Sequence, residues 1–283
     1  MQKLDTTAQR FHDGLQAIKL QSRNNLTYPM TIFEYLARIG IDRPIRPDIE
    51  SLCALHRAHM LTVPFENLDI NPLGRPIRLD LESLWDKIVV RKRGGFCYEL
   101  NGLFAWLLTE IGFGVTYLNA VSYYPATDSF GIDFDHLALL VRVPSQPTSW
   151  LADVGYGDNF TVPMEIGNTA EQPEGTRAYW LEPFRNGWQL WRRNYDATVQ
   201  SQYTFDMTAH RFPVEYEAGC QYHQTSPDSF FMTRRLISRL AEDGRITLEN
   251  RRMIVTRNGQ RSETEFAEAD FPNLLKRHFN VVL

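Results

Sequence analysis

The sequence predicts an α+β fold: a helical first third, then antiparallel strands, then a mixed C-terminal part. Three observations predict it. From Met30 to Ile111 apolar residues recur three and four apart, the helical period. After Gly114 they form short runs rich in Val, Tyr and Trp, broken by Pro, Gly, Asn and Asp. Beyond Phe212 helical and hairpin patterns alternate.

Residues 1–29 are polar, with Leu4, Phe11, Leu15, Ile18 and Leu20 to bury, and read as an appended helix or loose extension without chemistry. IFEYLARIG, IESLCALHRAHMLTV and LDLESLWDKIVV read as helices, and Asp80 and Glu82 suit the N-terminus of the third. The clearest helix lines up Leu100, Leu103, Phe104, Leu107, Leu108 and Ile111 on one face and ends at Gly112. VTYLNAVSYY, HLALLVRV, WLADVG, YWLEPF and WQLWRR read as antiparallel strands of a barrel or sandwich. FFMTRRLISRLA reads as a helix, ITLEN and RMIVTRNGQRSETEF resemble a hairpin around Asn258 and Gly259, and FPNLLKRHF is a terminal helix.

Composition excludes several function classes. The 283 residues, 43% hydrophobic with 17 Phe, 12 Tyr and 6 Trp, suffice for a packed core and exclude a disordered chain. No run approaches the roughly 18 apolar residues of a membrane span. The N-terminus has no apolar stretch of a secretion signal, so the cytoplasm is the expected location. A net charge of −4 with both signs interspersed offers no field for nucleic acid. Cys53, Cys97 and Cys220 are too few for a disulfide framework, and no spacing suggests zinc, so no metal is expected. VGYGD lacks the full dinucleotide fingerprint and no Walker motif occurs, so no prosthetic group is expected either.

The chemistry centres on Cys97. An isolated cysteine is more often a small buried hydrophobe than a nucleophile. Here it opens a helix after Gly94 and Gly95, and helix N-termini lower a cysteine pKa from ~8.5 to between ~3.5 and ~7.5. Arg91, Lys92 and Arg93 would push the same way, although a basic triplet is usually a solvated face. Cys53 sits in an apolar helical period and Cys220 in an irregular stretch. A thiolate needs a base and a group to orient that base. His136 opens the apolar run HLALLVRV, the bland alternative being an exposed strand end. Asp153 interrupts WLADVG and, if buried, needs a partner, the bland alternative being a turn aspartate.

In an antiparallel hairpin an odd sum of residue numbers, here 289, puts His136 and Asp153 on one face. Symmetric closure of PSQPTS would leave them four residues out of register, about 13 Å at ~3.4 Å per residue, so contact requires an asymmetric loop or a bulge. Granting contact, Cys97, His136 and Asp153 form a triad of the thiol-protease type, suited to acyl transfer through a thioester. Backbone N–H groups at Cys97 would hold the oxyanion.

RGGFCYELNGLF (93–104), DHLALLV (135–141) and WLADVGYGD (150–158) resemble the signature stretches of the arylamine N-acetyltransferases, whose nucleophile pattern is R-G-G-[FY]-C-[FY]-E-x-N. YLARIG, LHRAHMLTVPFENLDI, GRPIRLDLESL, TSPDSFF and GRITLENRRM follow in that family's order, so the resemblance runs from Met30 to Leu283 and is closest to the bacterial branch. It implies a helical bundle carrying the nucleophile (1–111 with the extension), a β-barrel carrying His136 and Asp153 (112–215) and an α/β lid (216–283), around a cysteine-protease-like catalytic core. It implies acetyl-CoA as co-substrate and ping-pong transfer to an arylamine, arylhydrazine or N-hydroxyarylamine by a monomer or homodimer. Phe65, Phe130 and Phe205 are matched to the acceptor pocket, with core packing an equal reading for the last two. Gly155 and Gly157 are matched to a loop that lets the coenzyme approach, with a plain β-turn as the alternative. Residues 1–29 and the loop YYPATDSFGIDFD before His136 depart from the pattern and bear on oligomeric contacts and acceptor specificity. Alternative functions are a family member using another acyl donor, an amide synthase and a cysteine hydrolase.

Overall fold

The computed structural model describes residues 30–144 and 146–283, so the appended segment expected at 1–29 lies outside the described residues. Helix α1 (Ile32–Arg38) starts at Thr31, α2 (Ile49–Thr62) at Asp48 and α3 (Leu81–Trp85) at Asp80. In each, the starting side chain accepts a hydrogen bond from the backbone N–H three residues on, which satisfies a donor the helix cannot. A single π turn (Asp86–Val90) continues α3. The long α4 (Cys97–Ile111) stops at Gly112, whose φ of 108° is a left-handed cap. Leu100, Leu103, Phe104, Leu107 and Leu108 of α4 have no exposed surface and form the centre of the helical core.

Strand β1 (Phe65–Glu66) follows α2. Then come β2 (Gly114–Tyr124), β3 (Ser129–Phe130), β4 (His136–Arg142), β5 (Ser149–Ala152), β6 (Met164–Glu165), β7 (Gln172–Glu174), β8 (Arg177–Phe184), β9 (Gly187–Arg193) and β10 (Val199–Asp206). These nine make one antiparallel sheet in the order β6-β5-β4-β2-β10-β9-β8-β7, with β3 on β2, curled into a nearly closed barrel. Of the two expected forms, barrel or sandwich, it is the barrel. Leu137, Leu139 and Val141 of β4 pack on α4 and the helical core, while Ala138 and Leu140 face the barrel interior. Burial on both faces explains why HLALLV is continuously apolar. The sequence reading does not anticipate β10, where a bulge between Ser201 and Tyr203 breaks the two-residue period.

Two short helices follow, α5 (Glu217–Thr225) and α6 (Phe230–Thr233). The second sheet takes the order β1-β11-β12-β13-β14, with β11 (Leu236–Ala241), β12 (Gly244–Glu249), β13 (Arg252–Arg257) and β14 (Gln260–Glu265). This corrects the expected helix FFMTRRLISRLA, of which only Phe230–Thr233 is helical. Leu236 and Leu240 face the helical core and Ile237 faces the C-terminal cluster, so a strand buried on both sides mimics helical spacing. Cys220, expected in an irregular stretch, is buried on α5. The expected hairpin is present and turns at Asn258 and Gly259, both at positive φ. Helix α7 (Phe271–Phe279) buries Phe271, Leu275 and Phe279 at four-residue spacing against Leu68, Ile237 and Leu248.

Candidate active site

Cys97 is the first residue of α4 and only 4% exposed. The two glycines before it lie against β1: a β-carbon on Gly94 would sit 1.9 Å from the Pro64 carbonyl oxygen, and Gly95 O accepts from Glu66 N at 2.9 Å. The nearby cations do not serve the thiol. Buried Arg93 donates to both Glu66 oxygens at 2.7 and 2.9 Å and reaches Asp69 at 3.3 Å. Buried Lys87 lies 2.7 Å from both Asp69 and Glu99, and Arg91 pairs with Asp86 at the surface. Burial pushes the Cys97 thiol well above its ordinary pKa. A backbone hydrogen bond from Leu137 opposes the shift, and the Asp135 and Asp153 carboxylates add to it. The expectation that helix and basic triplet lower this pKa is therefore corrected: burial outweighs them.

His136 begins β4. Leu139 pairs with Ala152 and Arg142 with Ser149, so the β4–β5 loop closes one residue earlier than symmetric closure of PSQPTS. Continued past Ala152, this register sets Asp153 diagonal to His136, two residues off rather than four, and such diagonal neighbours are within side-chain reach. His136 Nε2 lies 2.9 Å from Asp153 Oδ2. Asp153 is fully buried and accepts from Asn101 Nδ2 (2.8 Å), the Gly155 N–H (2.9 Å) and Asn159 Nδ2 (2.9 Å). Burial alone would raise its pKa, but His136 and these donors together hold the carboxyl below the ordinary range.

Asn101, one turn after Cys97 on α4, also donates to Leu137 O (2.6 Å) and accepts from Val154 N (2.9 Å). One amide thus ties the cysteine helix to both strands. Behind Asp153, the ring of buried His56 donates Nδ1–H to Thr161 O and accepts the Asp153 N–H at Nε2, both at 3.0 Å. Those partners require the neutral ring, and burial lowers the His56 pKa to about 4.

Cys97 and His136 open into a cavity of about 450 Å³ between barrel, helices and second sheet. Phe65, Gly155 and Gly157 line it. Phe130 and Phe205 do not: Phe130 is 37% exposed beside Tyr123 and Phe184, and Phe205 is buried in the barrel core near Tyr203. The structure also supplies a different need for Gly155, because a β-carbon there would lie 2.8 Å from Cys97 Cα. Sequence reasoning missed Tyr124, Asp135, His223, Phe231 and Arg245 in the wall. Asp135 was visible as the neighbour of His136, whereas His223 sits on the unanticipated α5. Among the described residues no group of His, Cys, Asp and Glu is arranged to hold a metal, and no helix is long and apolar enough to cross a membrane.

Comparison with known proteins agrees with this architecture. Residues 48–283 match the family model described as N-acetyltransferase. The arylamine N-acetyltransferase of Mycolicibacterium smegmatis is 36% identical over 250 residues, covering 85% of this chain and 87% of that protein. The structure of arylamine N-acetyltransferase from M. tuberculosis superposes with a TM-score of 0.83 at 31% identity, covering 89% of this chain and 93% of that one. That of the Mycobacterium marinum enzyme in complex with CoA superposes with a TM-score of 0.82 at 29% identity, with the same coverage. On sequence and fold together, the chain belongs to the arylamine N-acetyltransferase family.

Proposed function

We propose that the protein transfers an acetyl group from acetyl-CoA to an arylamine, arylhydrazine or N-hydroxyarylamine through an acetyl-Cys97 thioester. The observation that carries this reading is the His136–Asp153 contact of 2.9 Å at the floor of a cavity that Cys97 also lines. Asp153 takes up Nε2–H and fixes the tautomer, which leaves Nδ1 to accept the thiol proton. The thiolate, unfavourable alone in this buried site, is stabilised by the imidazolium it creates. It attacks the thioester carbonyl of the donor, the oxyanion is held by unpaired N–H groups at the start of α4, and CoA leaves with the proton from His136. An amine then attacks acetyl-Cys97 and gives up a proton to His136, and Cys97 departs. Phe65 and Phe231 supply an apolar wall for an aromatic acceptor.

Intact-protein mass spectrometry after brief exposure to acetyl-CoA tests this. One acetyl adduct on Cys97, lost as acetylated amine forms, is expected. An undiminished adduct in Cys97→Ala would overturn the reading. Free acetate as the only product would favour a hydrolase, and preference for malonyl- or propionyl-CoA a different donor.

A further inference from the structure

The cavity floor holds a second carboxylate–imidazole pair that the transfer above does not use. Asp135, His223 and Tyr124 all line it. Asp135 (5% exposed) and His223 (2%) open to it as narrowly as Cys97 (4%) and His136 (2%). Three groups from two elements, β2 and α5, converge on the Asp135 carboxylate: Tyr124 OH donates to Oδ1 at 3.0 Å, Ser122 N–H to Oδ2 at 3.2 Å, and His223 Nε2 stands 3.4 Å from Oδ1. His223 is itself held through Nδ1 by Ser229 Oγ at 3.2 Å and through Nε2 by Asp135 O at 3.1 Å. The approach loop is shaped around the group, since a β-carbon on Gly131 would lie 2.8 Å from Asp135 Cγ.

A carboxylate here hinders the first half of the reaction, because its charge opposes formation of the Cys97 thiolate. Its charge suits the second half. A neutral amine that attacks acetyl-Cys97 becomes positive at nitrogen, and a fixed anion in a largely apolar cavity stabilises charge that develops there.

We propose that Asp135, oriented by Tyr124 and His223, is the subsite for the acceptor's nitrogen, accepting an N–H from the incoming amine and stabilising the charge it acquires. The inference rests on acyl transfer through Cys97. In the step, the nitrogen lone pair forms the C–N bond and the carbonyl π pair moves to oxygen. The nitrogen proton passes to His136, and collapse re-forms the carbonyl and breaks C–S. The thiolate then leaves and is reprotonated by His136, while Asp135 stays ionised. Hydrazines and hydrazides, which keep an N–H beside the attacking nitrogen, are the favoured acceptors.

The test separates the two half-reactions on the full-length chain. Acetylation of Cys97 by acetyl-CoA is followed by intact mass, and the acetylated protein is then mixed with isonicotinic hydrazide, with aniline or with buffer alone. Asp135→Asn is expected to slow transfer to both nitrogen acceptors by on the order of tenfold to a hundredfold. Acetylation should not fall and is expected to rise, because the charge that opposes the Cys97 thiolate is removed, and loss of acetyl to water should change far less than transfer, as expected where the charge acts on the attacking nitrogen. Tyr124→Phe, which leaves the carboxylate but removes one of its donors, should show a smaller loss of the same kind. A parallel fall in acetylation and transfer in both variants, or unchanged transfer in Asp135→Asn, would overturn the assignment. Failure of the unsubstituted protein to acetylate Cys97 would overturn the acyl-transfer reading and this inference with it.

Discussion

Asp153 shows how much of the site one buried side chain organises. Both oxygens are in use, Oδ1 by Asn101 and Gly155 and Oδ2 by His136 and Asn159. Asp153→Asn keeps the volume but turns an N–H toward donors, so the imidazole loses its fixed tautomer. Acetylation of Cys97 is expected to slow roughly 10⁴-fold while the circular dichroism spectrum stays unchanged. A wild-type rate would remove Asp153 from the mechanism. Gly155 is the second residue on which the geometry turns. Gly155→Ala would press a methyl group to 2.7 Å from Asn101 Nδ2 and 2.8 Å from Cys97 Cα. The forced shift should lower stability by about 1–3 kcal/mol in thermal unfolding and slow acetylation at the same time.

At the scale of elements, the start of α4 is held by a buried ionic cluster that includes its own capping residue, Glu99. Arg93 joins the turn before α4 to Glu66 of β1, and Lys87 joins the π turn to Glu99 in the first turn of α4. Glu99 also accepts the Phe96 N–H at 3.1 Å, so the cluster reaches the residue next to Cys97. Removing one member of a buried pair leaves its partner's charge unpaired, which costs more than the pair contributes. Arg93→Met should therefore destabilise the protein by about 3–5 kcal/mol in denaturant unfolding. A loss below about 1 kcal/mol, the range of surface pairs, would mean that Glu66 finds other compensation.

Over the whole molecule, buried neutral histidines make stability depend on pH. Burial lowers His56 from 6.5 to about 4 and holds His59 well below 6.5. Between about pH 4 and 6.5 the unfolded chain binds protons that the folded chain refuses, so stability rises with pH across that window and is lost as pH falls through it. His56 alone corresponds to about 3 kcal/mol. The carboxylates of Asp153, Glu66 and Asp69, all held below their ordinary range, extend the loss to lower pH. Urea unfolding from pH 7 to 4 checks this. A flat profile would contradict the neutral, buried His56 on which the Asp153 backbone rests.

The first-third helices, the Asp80 cap and Gly112 were legible in the sequence, because one-sided burial leaves a 3.6-residue period and capping is decided by residues within one turn. The turn into α4 at Cys97 was legible for a similar reason: Gly94, Gly95, Cys97, Glu99 and Asn101 act on their own backbone turn and its immediate neighbours. One element buried on both faces was not. Leu236–Ala241 reads as a helix and forms a strand because β1 and β12 pair with it from opposite sides. The fates of the three phenylalanines likewise depended on which neighbours the barrel brought to them. By itself the sequence determined which residue types are available for the proposed chemistry and which segments present them. The meeting of His136 with Asp153, the diversion of Arg93 and Lys87 from Cys97, and the convergence of Asp135 with His223 were decided only by tertiary structure. Each depends on register and burial between segments far apart in the chain, and long-range packing sets both.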